Sequence, residues 1–365
     1  MKIVQVQTQA EAAGAQRISD MLGESLRQRG HDIRTVFMYR KTAVYDEDRF
    51  ADFILKDRPR GPLDQMHAVL GLIGYMRAAR PDAVISFQHY GNIFGTIAGR
   101  LAGVPRLIAN QSGAPHKRGA LGVTTWVDKI MGTLGFYHLS IVNSAWTEAQ
   151  FADFPAAYRS RIRRIDHGVT GPEQPIEKHA ARARFGLPPE APLVVSTGRQ
   201  TRQKNQAVLV AALPLLPGVH LALAGIGPER ETLLGMARDL QVSDRLHLVG
   251  EVPPARIYEF LAAGDVFAFP SRLETFGLSA VEAAISGLPI VASTLPVLQE
   301  VLSGDAGASA ALFANSEDAV GIAKAIARYL AEPDLVNSMT ATGRRLAARY
   351  TPTRMGAAYE RLLAP

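Results

Sequence analysis

The sequence predicts an α/β protein built from two doubly wound units of parallel sheet, and three observations carry that prediction. Short β-branched runs alternate with longer helical stretches, the strands never follow one another as hairpins, and one Pro-rich polar segment divides the 365 residues into two such series. A chain of this length is too long for one comfortable core and fits two ordinary domains.

The first series opens with KIVQVQT, a strand, then GAQRISDMLGESLRQRG, a helix closed by Gly30, then HDIRTVFM, a second strand, so the chain begins as a βαβ unit. It continues through DAVISF at 82–87, IFGTIAGRLAG at 93–103, PRLIAN at 105–110 and HLSIVNS at 138–144. Between IRRIDHGV at 162–169 and PLVVSTG at 192–198 lies TGPEQPIEKHAARARFGLPPEA, polar and without a second apolar strand, which is the expected linker. The second series runs LVVSTG, a helix from about Asn205, VHLALAG at 219–225, a helix from about Glu229, RLHLVG, a helix from about Pro254, DVFAFP, a helix from Gly277, and LPIVAS. From about Ser316 to Leu363 the pattern is nearly all helix, and the last helix is expected to cross back and brace the first domain. The expected domains are therefore 1–175 and 176–345, with 346–365 as the returning helix. Two such sheets set strand C-terminal edges and helix N-termini on either side of a cleft, where open α/β sheets bind ligands.

Composition narrows the function. Apolar residues at 47% and charged residues at 20% exclude a disordered, collagen-like or membrane-embedded chain. The absence of cysteine excludes disulfides, thiolate nucleophiles, cysteine-ligated zinc and iron-sulfur clusters, and suits a reducing compartment. Met1 and Lys2 lead straight into a strand-like run without the apolar core of a signal peptide, and runs such as VLVAALPLL at 208–216 are too short to span a bilayer. A cytoplasmic protein is expected, with any membrane contact peripheral. The net charge of +6 sits in residues 1–175, which hold 22 Lys and Arg against 16 Asp and Glu, so the first half suits an anionic partner. No basic block is interleaved with stacking aromatics, and nucleic acid is not expected. The segment RPRGPLDQMHAVLGLIGYMRAAR at 58–80 has apolar residues at 66, 69, 70, 73 and 76 flanked by arginines; that spacing suits either an anionic membrane surface or packing on the protein's own sheet.

The chemistry-bearing residues of the second series all fall at strand ends. Arg199 follows LVVSTG, and Lys204 stands five residues on at the mouth of the next helix, so two cations and free helix N–H groups can converge on one anion, a diphosphate above all. LALAGIGPERE presents Gly225 and Gly227 between a strand and a helix, either half of a dinucleotide fingerprint or a tight turn; no acidic ribose ligand ends the following strand, which argues against NAD. In DVFAFPSRLETFGLSAVEAAISGLPIVAS, Glu274 sits on the loop leaving a strand, Gly277 permits close backbone approach, and Glu282 lies on the helix beyond. Two carboxylates flanking helix N–H groups can hold sugar hydroxyls, diphosphate and ribose. Asp46 and Asp48 form a DxD in YDEDRF, a pattern that elsewhere holds a divalent metal but here reads as a solvated turn. His31 and His247 read as structural.

The run PSRLETFGLSAVEA resembles the retaining glycosyltransferases of family 4, which have the GT-B fold, and the resemblance extends over nearly the whole chain. It implies that Glu274 contacts the donor sugar, that Glu282 binds the nucleotide ribose, and that Arg199 and Lys204 in GRQTRQKN hold the diphosphate. It further implies that backbone near Val249, Gly250 and Val252 reads the nucleobase, and that Thr275, Phe276, Gly277, Leu278 and Gly225 complete the donor site. The family's glycine loop after the first strand matches EAAGAQR, which implies that Gly14 lets the backbone approach the phosphates or sugar. Gln111 stands where the family often has a histidine, so His116 and His89 are candidates to supply that group, with Gln111 itself on the acceptor side. The implied donor is a UDP- or GDP-sugar, with no metal or other cofactor, and the implied acceptor is a hydroxyl of a glycan or lipid-linked intermediate of cell-surface polysaccharide or lipopolysaccharide synthesis. Two alternatives stay open: a nucleotide-sugar 2-epimerase of the same architecture, and a non-catalytic nucleotide-sugar sensor.

Overall fold

The computed structural model describes residues 1–11, 13–111, 113–115, 119–172, 174, 176–304 and 307–363. The chain divides into two compact units, Met1–Gly168 with Tyr350–Pro365, and Val169–Arg349. Each is a parallel sheet covered by helices.

Seven strands form the first sheet among the described residues: β1 (Lys2–Ala10), β2 (Asp32–Arg40), β3 (Ala51–Leu55), β4 (Ala83–Phe87), β5 (Arg106–Asn110), β6 (Leu139–Val142) and β7 (Ile162–Arg164), in the order β3-β2-β1-β4-β5-β6-β7. β1 is central, pairing Ile3 with Ile33 on one side and with Ala83 on the other. Val4 and Val6 of β1 join Val36, Val84, Leu107 and Val142 in one apolar core. The alternate residues are glutamines, of which the buried Gln5 is bonded at both ends of its amide: Gln5 Nε2 donates to the Ser19 carbonyl at 3.1 Å, and Gln5 Oε1 accepts from Thr35 Oγ1 at 3.1 Å.

The expected returning helix is present. Helix Pro352–Leu363 lies against helix Gly14–Gln28, with Gly356 allowing close approach to Ser25. Arg29 and His31 both bond Glu360, at 2.7 and 3.0 Å, and the Asn110 side-chain amide donates to the Tyr359 hydroxyl at 2.5 Å. His31 is thus structural, as expected.

The second sheet has six strands among the described residues: β8 (Leu193–Thr197), β9 (His220–Ala224), β10 (Leu246–Gly250), β11 (Val266–Phe269), β12 (Ile290–Ser293) and β13 (Ala311–Ala314), in the order β10-β9-β8-β11-β12-β13. The sequence left β3 and β13 unassigned, together with helix Gly119–Thr133. The second half of the expected linker is not open chain. It contains helix Lys178–Arg184, whose Arg182 is buried and donates to the Ala263 carbonyl at 2.9 Å and to Asp265 Oδ2 at 2.7 Å. The same carboxylate accepts from the Leu193 backbone at 2.7 Å, so this segment is fixed to the start of β8. In each sheet the strand order reverses once, between β1 and β4 and between β8 and β11. Loops leaving strands at such a reversal splay apart and leave room for a ligand.

Candidate active site

In the second unit the loops leaving β8 and β11 flank that reversal, and each carries one partner of an ion pair. Lys204 Nζ lies 2.6 Å from Glu274 Oε1, and it stands 4.9 Å from the centroid of the Phe269 ring at the end of β11. The Glu274 side chain is 10% exposed and that of Lys204 21%, so the pair is largely withdrawn from water, where charge interactions are stronger than at an open surface. The lysine stem runs along Gly198, where a Cβ would touch its Cγ, Cδ and Cε.

The two loops are stitched together on either side of the pair. The Arg272 backbone N–H donates to the Gln203 carbonyl at 2.8 Å, its guanidinium donates to the Arg202 carbonyl at 2.9 Å, and Gln203 Nε2 donates to the Leu273 carbonyl at 2.9 Å. Arg272 also grips Glu317 in a two-pronged pair at 2.5 and 2.7 Å. A pocket of about 340 Å³ opens among Thr201, Arg202, Asn205, Gln206, Glu229 and Arg272, and neither Lys204 nor Glu274 lines it. Its arginines already face Glu229 and Glu317, so it belongs to the support of the loops. Arg199 is exposed, and no ion pair or hydrogen bond of its side chain is found among the described residues.

The Gly225–Gly227 loop explains itself locally. A Cβ on Gly225 would collide with the Gly198 carbonyl, and one on Gly227 with the Gln200 backbone. Gly198 N–H donates to the Ala224 carbonyl at 2.9 Å, Gln200 N–H to Ile226 at 3.1 Å, and Gly225 N–H to Gly250 at 2.6 Å. The glycines therefore let three edge loops lie backbone to backbone and shape the floor beneath Arg199. Gly250, at φ 84°, ends this floor, and Val249 and Val252 beside it are half-buried.

Helix Leu278–Ile285 starts immediately after Gly277, whose φ of 84° and close approach to Leu298 admit no side chain. The helix begins without a side-chain cap, so its first N–H groups point back toward the loop that carries Glu274, Thr275 and Phe276. Leu278 is half-buried, and Glu282, on the second turn, is 1% exposed. The sequence placed helix onset at about Asn205 in the preceding loop; Asn205 instead has φ 51° and helix Ala207–Ala212 follows it, which keeps Lys204 off the helix and free to reach Glu274.

In the first unit, Gln111 is buried and its amide nitrogen lies 3.2 and 3.3 Å from the two Asp128 carboxylate oxygens. Tyr158 and Tyr137 donate to the same carboxylate at 2.7 and 3.1 Å, and burial pushes the Asp128 carboxyl up from its ordinary range. Gln111 is therefore a member of an internal network. His89 opens helix His89–Ala102 after Gln88, a non-glycine residue at φ 66° whose Oε1 accepts from the Thr8 backbone at 3.1 Å, at the reversal between β1 and β4. The His89 ring faces the loop at Gly113. Gly14 starts its helix in open space, on the other loop of that reversal. His116 lies outside the described residues. Asp46 pairs with Arg40, and Asp48 accepts from the Phe50 backbone at 2.9 Å. No group of three potential metal ligands occurs among the described residues. Sequence reasoning overlooked His167, which stands 3.0 Å from Asn143 beyond the ends of β7 and β6; burial lowers its imidazole to about 4.

Residues 177–346 match the model of the family described as glycosyl transferases group 1. The lipopolysaccharide core biosynthesis glycosyltransferase LpsE of Rhizobium meliloti is 35% identical over 185 residues, covering 50% of this chain and 53% of that protein. A D-inositol 3-phosphate glycosyltransferase of Mycolicibacterium smegmatis is 36% identical over 178 residues, covering 46% and 40%. The chain spans about half the length of these curated relatives. Among solved structures, Anabaena HepE in complex with UDP and glucose superimposes with a TM-score of 0.85 at 18% identity, covering 100% of this chain and 99% of that one. Both sheets, with the strand-edge loops that hold Lys204 and Glu274, therefore follow the GT-B fold, and residues 177–346 carry the likeness to the glycosyl transferases group 1 family.

Proposed function

We propose that this protein is a retaining, metal-independent glycosyltransferase that moves a sugar from a nucleoside diphosphate sugar to a hydroxyl of a glycan or lipid-linked acceptor. The observation that carries the proposal is the Lys204–Glu274 pair, held 2.6 Å apart where the strand order reverses, one turn before a helix that bears Glu282. A diphosphate suits Lys204, Arg199 and the helix N–H groups, sugar hydroxyls suit Glu274, and ribose hydroxyls suit Glu282. As the bond from the anomeric carbon to the diphosphate oxygen breaks, negative charge grows on the leaving group, and fixed cations and N–H groups stabilise it without reorganising. The acceptor oxygen takes the anomeric carbon and its proton leaves with the departing diphosphate. The LpsE relative, a lipopolysaccharide core enzyme, supports an acceptor among cell-surface glycans.

A melting-temperature screen of UDP- and GDP-sugars identifies the donor, because a bound ligand raises the transition in proportion to its affinity. Proton NMR of the product with that donor, in the presence of a chelator, is expected to show the donor's anomeric configuration kept and the rate unchanged. An inverted anomer, or activity abolished by chelator and restored by manganese, overturns the corresponding part of the proposal. Conversion of the donor in the absence of any acceptor would instead identify an epimerase.

A further inference from the structure

Helix Gly119–Thr133 presents an apolar face to solvent. Val123 and Trp126 are each 62% exposed, Ile130 is exposed one turn on, and Leu134, at 68%, and Phe136 continue the stripe beyond the helix. Leu101, 58% exposed at the end of the neighbouring helix His89–Ala102, widens it. The spacing 123, 126, 130, 134 is that of a single helix face, the face that a globular protein ordinarily makes polar. The one acid of the helix, Asp128, is turned inward to Tyr137 and Tyr158. A contiguous exposed apolar patch of this kind marks a contact surface.

Cations rim it. Arg77 donates to the Leu101 carbonyl at 3.2 Å, Arg100 donates to the Phe136 carbonyl at 2.6 Å and to that of Gly135, and Arg161 donates to the Gly132 carbonyl at 3.0 Å. Lys129 rises from the same helix over the Phe154 ring. The positive field is felt inside the unit, where burial together with Arg100, Arg106 and Arg161 lowers the His138 imidazole. We infer that this face docks on an anionic lipid bilayer, with Trp126 and the aliphatic side chains in the interfacial layer and the arginines among the headgroup phosphates. A second copy of the chain is the poorer occupant, because two-fold pairing would bring this cationic rim against itself. The inference stands apart from sugar transfer and does not need it. It also differs from an expectation centred on residues 58–80: helix Pro62–Ala79 buries Leu72, Ile73 and Met76 in the unit's own core and leaves Leu63, Met66 and Leu70 outside.

The chain has two tryptophans, at 126 and 146, so Trp146→Phe leaves Trp126 as the sole indole reporter. With phosphatidylcholine vesicles containing phosphatidylglycerol, its emission is expected to shift to the blue and to be quenched by brominated acyl chains; the shift should weaken at high salt and without the anionic lipid. Trp126→Ala combined with Leu134→Ser should weaken vesicle sedimentation about tenfold or more while leaving the melting temperature unchanged, since both side chains are exposed. Leu63→Ser combined with Leu70→Ser should leave it intact. An unshifted Trp126 emission, or undiminished sedimentation of the first double variant, overturns the inference. So does a concentration-dependent dimer that Trp126→Ala dissociates.

Discussion

Lys204 and Glu274 are partners across 70 positions of sequence, so altering either one strands the other in a place that is mostly shielded from water. On the proposed mechanism, Lys204→Ala and Glu274→Gln should each lower kcat on the order of a hundredfold, about 3 kcal/mol. The double variant should lose less than the product of the two, because each single change already breaks the pair. Glu282→Gln should chiefly raise the donor KM. Steady-state kinetics with the donor found by melting-temperature screening checks all three; fully multiplicative losses would show that the pair does not act as a unit. The sequence singled out Glu274, Glu282, Arg199 and Lys204 because all four stand where strands end and helices begin, and the structure brings two of them, Lys204 and Glu274, together. The ion pair was not legible, since nothing local relates a lysine to a glutamate on a different loop. The role of Gln111 was hidden for the same reason: its partners Asp128, Tyr137 and Tyr158 come from elements whose packing is decided by the fold.

At the scale of elements, most strands could be read from their β-branched residues, and those that could not have a physical reason. β13 is Ala-Leu-Phe-Ala, without a β-branched residue, and β3 carries Asp52 at its second position, paired with Arg34. Helix Gly119–Thr133 escaped because its outward face is as apolar as its inward one, which erases the period that amphipathic helices show. The glycine loops between elements make a sharper prediction. Gly225→Ala, at φ 127° and against the Gly198 carbonyl, should destabilise the second unit by about 3 kcal/mol, whereas Gly218→Ala, at φ 73° in open space, should cost about 1 kcal/mol. Urea denaturation separates the two, and equal costs would mean that backbone crowding at Gly225 is relieved at no expense. The edge of the same sheet carries a pH dependence. His220 and His247 stack with nitrogens 3.0 Å apart, and burial lowers both imidazoles below their ordinary value. The unfolded chain therefore binds protons first as pH falls, so this stability is complete above the ordinary histidine range and is lost as pH drops through the lowered values. His247→Gln should flatten the dependence of the urea midpoint on acidification; an unchanged slope would remove the pair as its source.

On the scale of the whole molecule, the two parallel series and the returning helix were readable because alternation and length survive local ambiguity, and the helix illustrates what that return achieves. Tyr350, Met355, Tyr359 and Leu363 are each at most 2% exposed, and all belong to the first unit although the second unit's sequence intervenes. Burying such side chains contributes about 1.5–3 kcal/mol apiece. Together they reach the scale of a whole domain's net stability, roughly 5–15 kcal/mol. A chain ending at Arg349 should therefore lose the calorimetric transition of the first unit and retain that of the second. Tyr359→Phe is the milder counterpart. It keeps the ring and removes only the acceptor of the Asn110 amide, and should cost about 1–3 kcal/mol, confined to the first unit's transition. If the truncated chain still melted with both transitions, the terminal helix would be an attachment to a domain that is already complete. Loss of the first transition alone would show that the first unit finishes folding only when the last residues of the sequence have been supplied.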